Sequence, residues 1–291
     1  MTSEENKYIS LVENILKNGK PREDRTNTGT ISLFGKYIDF DVSCDFPLLT
    51  SKRVYWKGVV EELLFFIRGD TDTKILERKG VNIWKGNTSR QFLDNKNLHN
   101  YPEGEMGPSY GRQWRNFGGK YEIPPSICQI RDGIDQLQNA IRLIRNDPYS
   151  RRILVSAWNP LWSDKMALDP CHYSYQFFVE PREKKLSILV NMRSCDVFLG
   201  LPFNIASYSL LLYIIAKMTD LMPSKVCFCL GDTHIYLNHI EQCKEQSLRD
   251  LKPFPTLKVI KKHDNINDYQ IEDFILENYN PNPSIKATMA V

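Results

Sequence analysis

The chain has 291 residues, which is enough to bury a large core in one large domain or two ordinary ones. Hydrophobic residues make up 42% and charged residues 25%, which is the balance of an ordinary globular protein and not of a disordered chain. The net charge of +3 is too small to indicate a nucleic-acid groove by charge alone, so we expect the arginines to concentrate in an anion site.

No targeting or membrane-spanning segment is evident. The N-terminus is acidic at its start and lacks the apolar core of a signal peptide. The most apolar run, residues 205–218, is shorter than the ~20 residues that a membrane span needs. The seven cysteines are odd in number and lack the spacing of a disulfide scaffold, which favours a reducing compartment. We therefore predict a soluble, cytoplasmic protein.

Periodicity predicts the main elements in chain order. Apolar residues at helical spacing predict four helices, over residues 8–16, 55–68, 130–144 and 205–218. Runs rich in β-branched and aromatic residues predict strands over residues 31–42, 186–192 and 255–260. A further strand is expected after Arg151 and Arg152, and residues 225–242 predict a strand, a turn with His234 and Tyr236, and a helix.

These elements interleave without a regular βαβ rhythm, so the predicted class is α+β or α/β with a mixed sheet. No linker or repeat divides the chain, and residues 1–291 are expected to form a single domain. Neither a GxGxxG loop nor a phosphate-binding P-loop is present. Cys227 and Cys229 alternate in a predicted strand without the spacing of a zinc site, so no metal is predicted.

Two carboxylates interrupt the apolar middle of the second predicted helix. Glu61 and Glu62 are adjacent, and neighbouring residues on a helix do not share one face. One of them is expected to point inward, where a carboxylate needs a partner or a chemical role. A solvent-facing pair at the edge of the helix fits the pattern equally well.

Residues 164–208 concentrate the groups that carry chemistry. Cys171 precedes His172, and a strand-like run leads to Arg193 and Ser194. Asp196, Gly200 and Asn204 follow and open the most apolar helix. A nucleophile, a guanidinium for phosphate and an amide for a base within one segment indicate covalent chemistry on a small phosphorylated molecule.

The sequence resembles the thymidylate synthase family along nearly its whole length. The matching motifs occur in family order: DRTNTGTISLFG, EELLFF, GVNIW, GPSYGRQW, DPYSRRI, MALDPCH, RSCDVFLGLPFNIASY, GDTHIYLNHIE and the terminal MAV. The resemblance implies reductive methylation of dUMP to dTMP, with 5,10-methylenetetrahydrofolate supplying the carbon and the hydride and leaving dihydrofolate. It also implies a large mixed sheet packed by helices and an obligate homodimer formed through that sheet.

The resemblance assigns the covalent step to Cys171, whose thiolate adds to C6 of the pyrimidine and makes C5 nucleophilic. Glu62 is expected to organise water for proton transfer, and Tyr110 to help remove the C5 proton. Asn204, Arg193 and Asp196 complete the catalytic set. Arg193 is also the expected source of the positive charge that a thiolate needs.

For dUMP, the resemblance implies a phosphate site shared between two subunits. Arg25, Arg193 and Ser194 come from one chain, and Arg151 and Arg152 from the other. Asn204 is expected to donate to O4 of uracil and to accept from N3–H, which rejects cytosine. The remaining substrate contacts are Asp196, His234 and Tyr236, the last two at the deoxyribose hydroxyl.

The resemblance implies that the folate is a co-substrate and that no metal is required. Trp84 is expected to keep water from the exocyclic methylene intermediate, so that the product carries a methyl group and not a hydroxymethyl group. The terminal Val291 is expected to close over the site near Arg25. The implied folate contacts are Lys52, Ile83, Trp84, Asn87, Asp196, Gly200, Phe203, Ala290 and Val291.

Four residues depart from the family pattern. Met192 stands beside Arg193 where glutamine is usual, and Asp169 replaces a small apolar residue or proline before Pro170. Lys85 replaces aspartate after Trp84, and Ser109 replaces an apolar residue before Tyr110. An Asp169 carboxylate facing the thiol would oppose thiolate formation, so we expect it to point away.

Three alternative functions compete with the one that this resemblance implies. A deoxyuridylate hydroxymethylase on the same scaffold would release tetrahydrofolate and not dihydrofolate. A regulatory RNA-binding role has little support from the small net charge. A hydrolase that pairs Cys171 with His172 is disfavoured because adjacent residues of a strand point to opposite faces.

Overall fold

The computed structural model describes residues 4–122 and 132–290. The helices are α1 (Asn6–Asn18), α2 (Trp56–Arg68), α3 (Lys74–Arg78), α4 (Arg90–Asn95), α5 (Tyr110–Asn116), α6 (Gln136–Asn146), α7 (Gly200–Thr219) and α8 (Ile240–Ser247). The strands are β1 (Lys20–Arg22), β2 (Thr30–Asp41), β3 (Leu154–Ser156), β4 (His172–Glu180), β5 (Lys185–Asp196), β6 (Met222–Tyr236), β7 (Thr256–Val259) and β8 (Phe274–Glu277).

Six strands form one mixed sheet in the order β1-β2-β6-β5-β4-β3. β5 and β6 are parallel, whereas the other neighbours in this sheet are antiparallel. Helix α7 is the crossover between the two parallel strands, which such a connection requires. The predicted class, a mixed sheet packed by helices, is confirmed, and β7 and β8 form a separate hairpin.

Helix α7 lies against the centre of the sheet. Its 20 residues are long and apolar enough to cross a membrane by length and composition, but 78% of the apolar window is buried inside the protein. The helix is apolar nearly all round because its neighbours surround it, as the sequence predicted. It holds the end of β5 beside the end of β6, where the predicted site residues lie.

The predicted boundaries of two other elements need correction. Helix α6 begins at Gln136, with Asp135 as its N-cap, and not at residue 130. Ile134 is 62% exposed and pairs with Phe117 in an isolated bridge, while Ile130 falls outside the described residues. His234 and Tyr236 lie in β6 and not in a turn, because β2 and β5 offer ladder partners up to the end of that strand.

One face of the sheet carries the core, and the opposite face is open in the single chain. Phe34 and Tyr37 of β2 are 81% and 60% exposed, and Phe178 of β4 is 64% exposed. Cys227 and Cys229 alternate with buried residues of β6, and the part of the chain that the structure describes contains no cluster able to hold a metal. Exposed apolar surface of this extent is typical of an interaction face.

Candidate active site

Cys171 lies immediately before β4, between α5 and β5. Its backbone N–H donates to the Tyr110 hydroxyl at 2.9 Å, and its carbonyl accepts from the Arg193 N–H at 2.9 Å. These two bonds hold the cysteine between helix α5 and the neighbouring strand. The predicted nucleophile therefore has a defined position before any ligand binds.

The guanidinium of Arg193 is anchored on the chain that leads to the cysteine. Its Nε donates to the Pro170 carbonyl and its Nη2 to the Asp169 carbonyl, both at 2.9 Å. The group also lies 5.6 Å from the ring centroid of Trp158, a contact that no sequence signal indicated. This anchoring presents a fixed positive charge beside Cys171.

The thiol of Cys171 experiences two opposing effects. Burial raises its pKa, whereas the charge of Arg193, a hydrogen bond from Tyr110 and the charge of Arg25 lower it. The burial effect is the larger, so the thiol form is favoured. The predicted cationic partner is present, but it only partly offsets the cost of burying a thiolate.

Tyr110 stands at the first position of α5 inside an aromatic cluster. Its ring stacks on Phe66 at 4.9 Å between centroids and lies 4.3 Å from His172 and 5.9 Å from Trp84. Burial holds the pKa of the phenol well above its ordinary value, so the group is a proton donor and not a phenolate. The cluster fixes the hydroxyl beside Cys171.

The two adjacent carboxylates of α2 have different environments. Glu61 is 4% exposed and pairs with Lys79 at 2.6 Å. Glu62 accepts a hydrogen bond from the Trp84 indole at 2.8 Å, and burial raises its pKa to about 7. The structure thus excludes a solvent-facing pair, and Glu62 is the carboxylate with the pKa expected of a group that exchanges protons near neutral pH.

Asp196 and Asn204 come together at the N-terminus of α7. Oδ1 of Asp196 accepts from the Phe198 and Leu199 N–H groups at 3.0 and 3.2 Å. A Cβ at Gly200 would lie 3.6 Å from the Asp196 side chain and 3.9 Å from Oδ1 of Asn204. Glycine at this position keeps space between the two polar groups.

The end of β6 lies beside the same turn. His234 pairs with Asp196 across the parallel ladder, and Ser194 pairs with Asp232. Burial, together with the charge of Asp196, raises the pKa of Tyr236 to about 12, so its hydroxyl is protonated. The structure therefore brings the predicted sugar contacts next to the predicted base contacts.

Arg25 lies in the loop before β2. The carboxylate of Asp24 accepts from the backbone N–H groups of Thr26 and Gly29 and shapes this loop. The guanidinium of Arg25 lies 5.9 Å from the Phe92 ring, and its charge lowers the pKa of both Cys171 and Tyr236. This predicted phosphate ligand is thus close enough to Cys171 and Tyr236 for its charge to act on both groups.

His172 does not act on the neighbouring thiol. Its Nδ1 lies 2.7 Å from the Tyr208 hydroxyl, and burial lowers its pKa to about 3. A histidine that stays neutral and is engaged elsewhere is a poor base for Cys171. The geometry argues against the cysteine–histidine hydrolase and for a packing role of His172 under the aromatic cluster.

The predicted folate contacts lie in several environments. Ile83, Trp84 and Phe203 are half-buried, while Asn87 is buried. Lys52 is buried, and its ammonium group donates to the Phe198 carbonyl. The C-terminal segment, which the structure describes up to Ala290, is held by a contact at 2.8 Å between Nε2 of His239 and the Thr288 carbonyl. Val291 lies outside the described residues.

Arg151 and Arg152 are exposed before β3, and neither makes an ion pair within residues 4–122 and 132–290. Two departures from the family pattern have side-chain partners of their own. Asp169 accepts a hydrogen bond from Ser163, and Ser109 donates to the Leu168 carbonyl at 3.1 Å. Met192 is buried in β5, and Lys85 is exposed.

Cys171 lies beside the guanidinium of Arg193 and the phenol of Tyr110, at the end of a strand of a mixed sheet, which is an arrangement suited to an enzyme that uses covalent catalysis. A model of the family described as thymidylate synthase matches residues 6–291. The chain belongs to the thymidylate synthase family.

Individual relatives agree with the family match over 90% or more of their lengths. The chain is 50% identical over 287 residues to thymidylate synthase of Herpesvirus ateles, with 99% of this chain and 98% of that protein covered. It is 49% identical over 284 residues to the human enzyme, with 98% and 90% covered. It is 46% identical over 297 residues to the Saccharomyces cerevisiae enzyme, with 99% and 97% covered. The reaction of this family is the conversion of dUMP to dTMP, with 5,10-methylenetetrahydrofolate as the co-substrate.

Proposed function

We propose that the chain performs this reaction through a covalent bond between Sγ of Cys171 and C6 of dUMP. The thiolate adds to C6, and the electron pair of the C5–C6 double bond moves to C5, which attacks the methylene carbon of the folate. Loss of the C5 proton releases tetrahydrofolate and leaves an exocyclic methylene. Hydride transfer to that carbon, with expulsion of Sγ from C6, yields dTMP and dihydrofolate. The observation that carries this proposal is the anchoring of Arg193 beside Cys171.

The phosphate of dUMP would bind to the arginines beside Cys171. Arg193 donates two of its guanidinium N–H groups to the carbonyls of Asp169 and Pro170, and its remaining N–H groups are available to an anion. Arg25 and Ser194 join it from the same chain. A bound nucleotide would hold these cations beside Cys171, and the charges of Arg193 and Arg25 are the effects that lower the pKa of its thiol.

The base and the sugar would lie along the α7 turn. Asn204 supplies one amide donor and one acceptor, which match O4 and N3–H of uracil and mismatch cytosine. His234 and the protonated Tyr236 would bond to the deoxyribose hydroxyl. Asp196 would contact both ligands. Its Oδ1 accepts from two N–H groups of the turn, whereas its Oδ2 accepts no hydrogen bond from the described residues and is available to a ligand.

Glu62 and Tyr110 would handle the protons. A carboxyl group with a pKa near 7 can give and take a proton through water at neutral pH, and Glu62 is held by Trp84 at the wall of the cleft. Tyr110 would direct removal of the C5 proton. The half-buried Trp84 ring would exclude water from the exocyclic methylene, which favours a methyl product.

The folate would bind against the same wall. Ile83, Trp84 and Phe203 offer apolar surface to its ring system, and Asn87 and Asp196 offer polar atoms to its amide-like edge. Gly200 keeps the helix N-terminus open for close approach, while Ala290 and Val291 would cover the bound molecule. Lys52 belongs to this group by family resemblance.

Two copies of the chain would share their sites through the open face of the sheet. The exposed apolar residues of β2 and β4 make that face suited to a second copy, and Arg151 and Arg152 would then reach the partner's phosphate. Mixing inactive Cys171→Ala and Arg151→Ala subunits tests this. Recovery of activity in the mixture supports shared sites, whereas no recovery under conditions that allow subunits to exchange contradicts them.

We place the enzyme in the cytoplasm.

The test of the reaction is the appearance of dihydrofolate from dUMP and methylenetetrahydrofolate, followed by absorbance. Cys171→Ser is expected to abolish turnover while dUMP still binds. Cys44→Ser, which replaces an exposed cysteine outside the cleft, is the matched control and should keep full activity. Normal turnover by Cys171→Ser would refute the nucleophile, and tetrahydrofolate without dihydrofolate would indicate a hydroxymethylase.

A further inference from the structure

Asp232 lies two residues before His234 on β6, and its carboxylate contacts the imidazole of that histidine. Oδ1 of Asp232 lies 3.1 Å from Nδ1 of His234, and Oδ2 pairs with the Arg22 guanidinium at 3.0 Å. Residues two positions apart on a strand point to the same face, so the strand itself places the two side chains together. The carboxylate is thus held through both oxygens, and one of them is committed to His234.

The sheet also fixes the backbone that carries the imidazole. His234 pairs with Ser32 of β2 on one side and with Asp196 of β5 on the other. Only 7% of the residue is exposed, and the part of the chain that the structure describes offers Nε2 no hydrogen-bond partner. Since buried polar atoms normally have partners, this nitrogen is available to a ligand.

The Asp232 carboxylate decides which nitrogen of the neutral imidazole carries the proton. An ionised carboxylate only accepts hydrogen bonds, so Nδ1 of His234 must be the donor and Nε2 keeps a lone pair. The ring centroid of Tyr236 lies 5.2 Å from that of His234. Its hydroxyl has the opposite character, because a pKa raised to about 12 keeps it protonated and able to donate. The two residues therefore offer one acceptor and one donor side by side.

We propose that Asp232 is a positioning residue that sets the specificity of the sugar site by fixing the tautomer of His234. The site then favours a group that can donate and accept at once, such as the 3′-hydroxyl of deoxyribose, which donates to Nε2 and accepts from Tyr236. A fluorine in its place cannot donate and leaves the lone pair of Nε2 without a partner. The proposal rests on the proposed function, which places the deoxyribose hydroxyl at His234 and Tyr236.

The tautomer can be measured directly by ¹⁵N NMR of protein labelled in its histidine rings. The chain has five histidines, and His234→Gln identifies the signals of this one. At about pH 8, where a histidine is ordinarily neutral, we expect a protonated Nδ1 and an unprotonated Nε2 in the wild type. Asp232→Leu should allow the proton to move to Nε2. A proton on Nε2 in the wild type, or an unchanged tautomer in Asp232→Leu, would overturn the proposal.

A binding test compares Kd for dUMP with Kd for its 3′-deoxy-3′-fluoro form, by calorimetry without folate. We expect the wild type to bind dUMP about tenfold or more tightly than the fluoro form. In Asp232→Leu the lone pair need not face the fluorine, so the ratio of the two Kd values should fall by about fivefold. Arg22→Gln removes the ion pair of Asp232 and keeps its contact with His234, so this matched control should retain the wild-type ratio.

Three results would show that the carboxylate does not act through His234 and would overturn the proposal. They are a wild-type ratio near one, an unchanged ratio in Asp232→Leu, and an equal fall of the ratio in Arg22→Gln. Failure of the wild type to bind dUMP or to form dihydrofolate would instead refute the proposed function.

Discussion

Glu62 makes a testable link between chemistry and stability. Its pKa is raised from the ordinary value of 4.5 to about 7, chiefly by burial, and the Trp84 hydrogen bond only partly opposes this. A carboxyl whose pKa is raised on folding contributes stability that is fully present below pH 4.5 and is lost as the pH rises through about 7. At about 1.4 kcal/mol for each pH unit, the loss approaches about 3 kcal/mol. Partial access of water from the cleft makes this an upper bound.

Glu62→Gln removes this penalty because glutamine cannot ionise. We expect the variant to unfold at a higher urea concentration than the wild type at pH 8, by up to about 3 kcal/mol in the free energy of unfolding, and to match it at pH 4. Its kcat should fall strongly, because the amide cannot exchange protons. Protein concentration must be the same in all samples, since dimerisation would contribute to stability.

Glu61→Gln is the matched control, one residue away on the same helix. Glu61 is ion-paired with Lys79 at 2.6 Å, so its replacement should lower stability at pH 8 and leave kcat nearly unchanged. Two results would show that burial does not raise the pKa of Glu62. One is that Glu62→Gln is no more stable at pH 8 than the wild type, and the other is that its gain in stability is the same at pH 4 as at pH 8.

Two further predictions concern the nucleotide side of the cleft. Asn204→Asp should shift the ratio of kcat/KM from dUMP towards dCMP, because a protonatable carboxyl can reverse the donor and acceptor pattern; an unchanged ratio would contradict the amide assignment. Tyr110→Phe should move the pH midpoint of Cys171 alkylation by iodoacetamide upward, since the phenol hydrogen bond lowers the thiol pKa; the same midpoint in both proteins would exclude that contact.

Much of the site could be predicted from the sequence because its residues are close along the chain. Cys171, Arg193, Asp196 and Asn204 fall within one segment, and the strand and helix between them were predicted. The positions of these residues in the fold agree with that expectation. Their catalytic and binding roles remain predictions that the experiments above address.

Other features depended on neighbours that are distant in sequence. The pattern left Glu61 and Glu62 equivalent, and only Lys79 and Trp84 distinguish them. The inward direction of Lys52 depends on Phe198, which is 146 positions away. No local periodicity carries such information, because it describes one element and not the element packed against it.

The sequence by itself determined the class of fold, the positions of most helices and strands and the family, since these follow from apolar periodicity and from motifs that side-chain chemistry makes specific. Only the tertiary structure decided that β6 continues through His234 and Tyr236, that α6 begins at Gln136, and which carboxylate has a raised pKa. Strand ends and pKa values depend on ladder partners and on burial, and both arise only when distant segments meet.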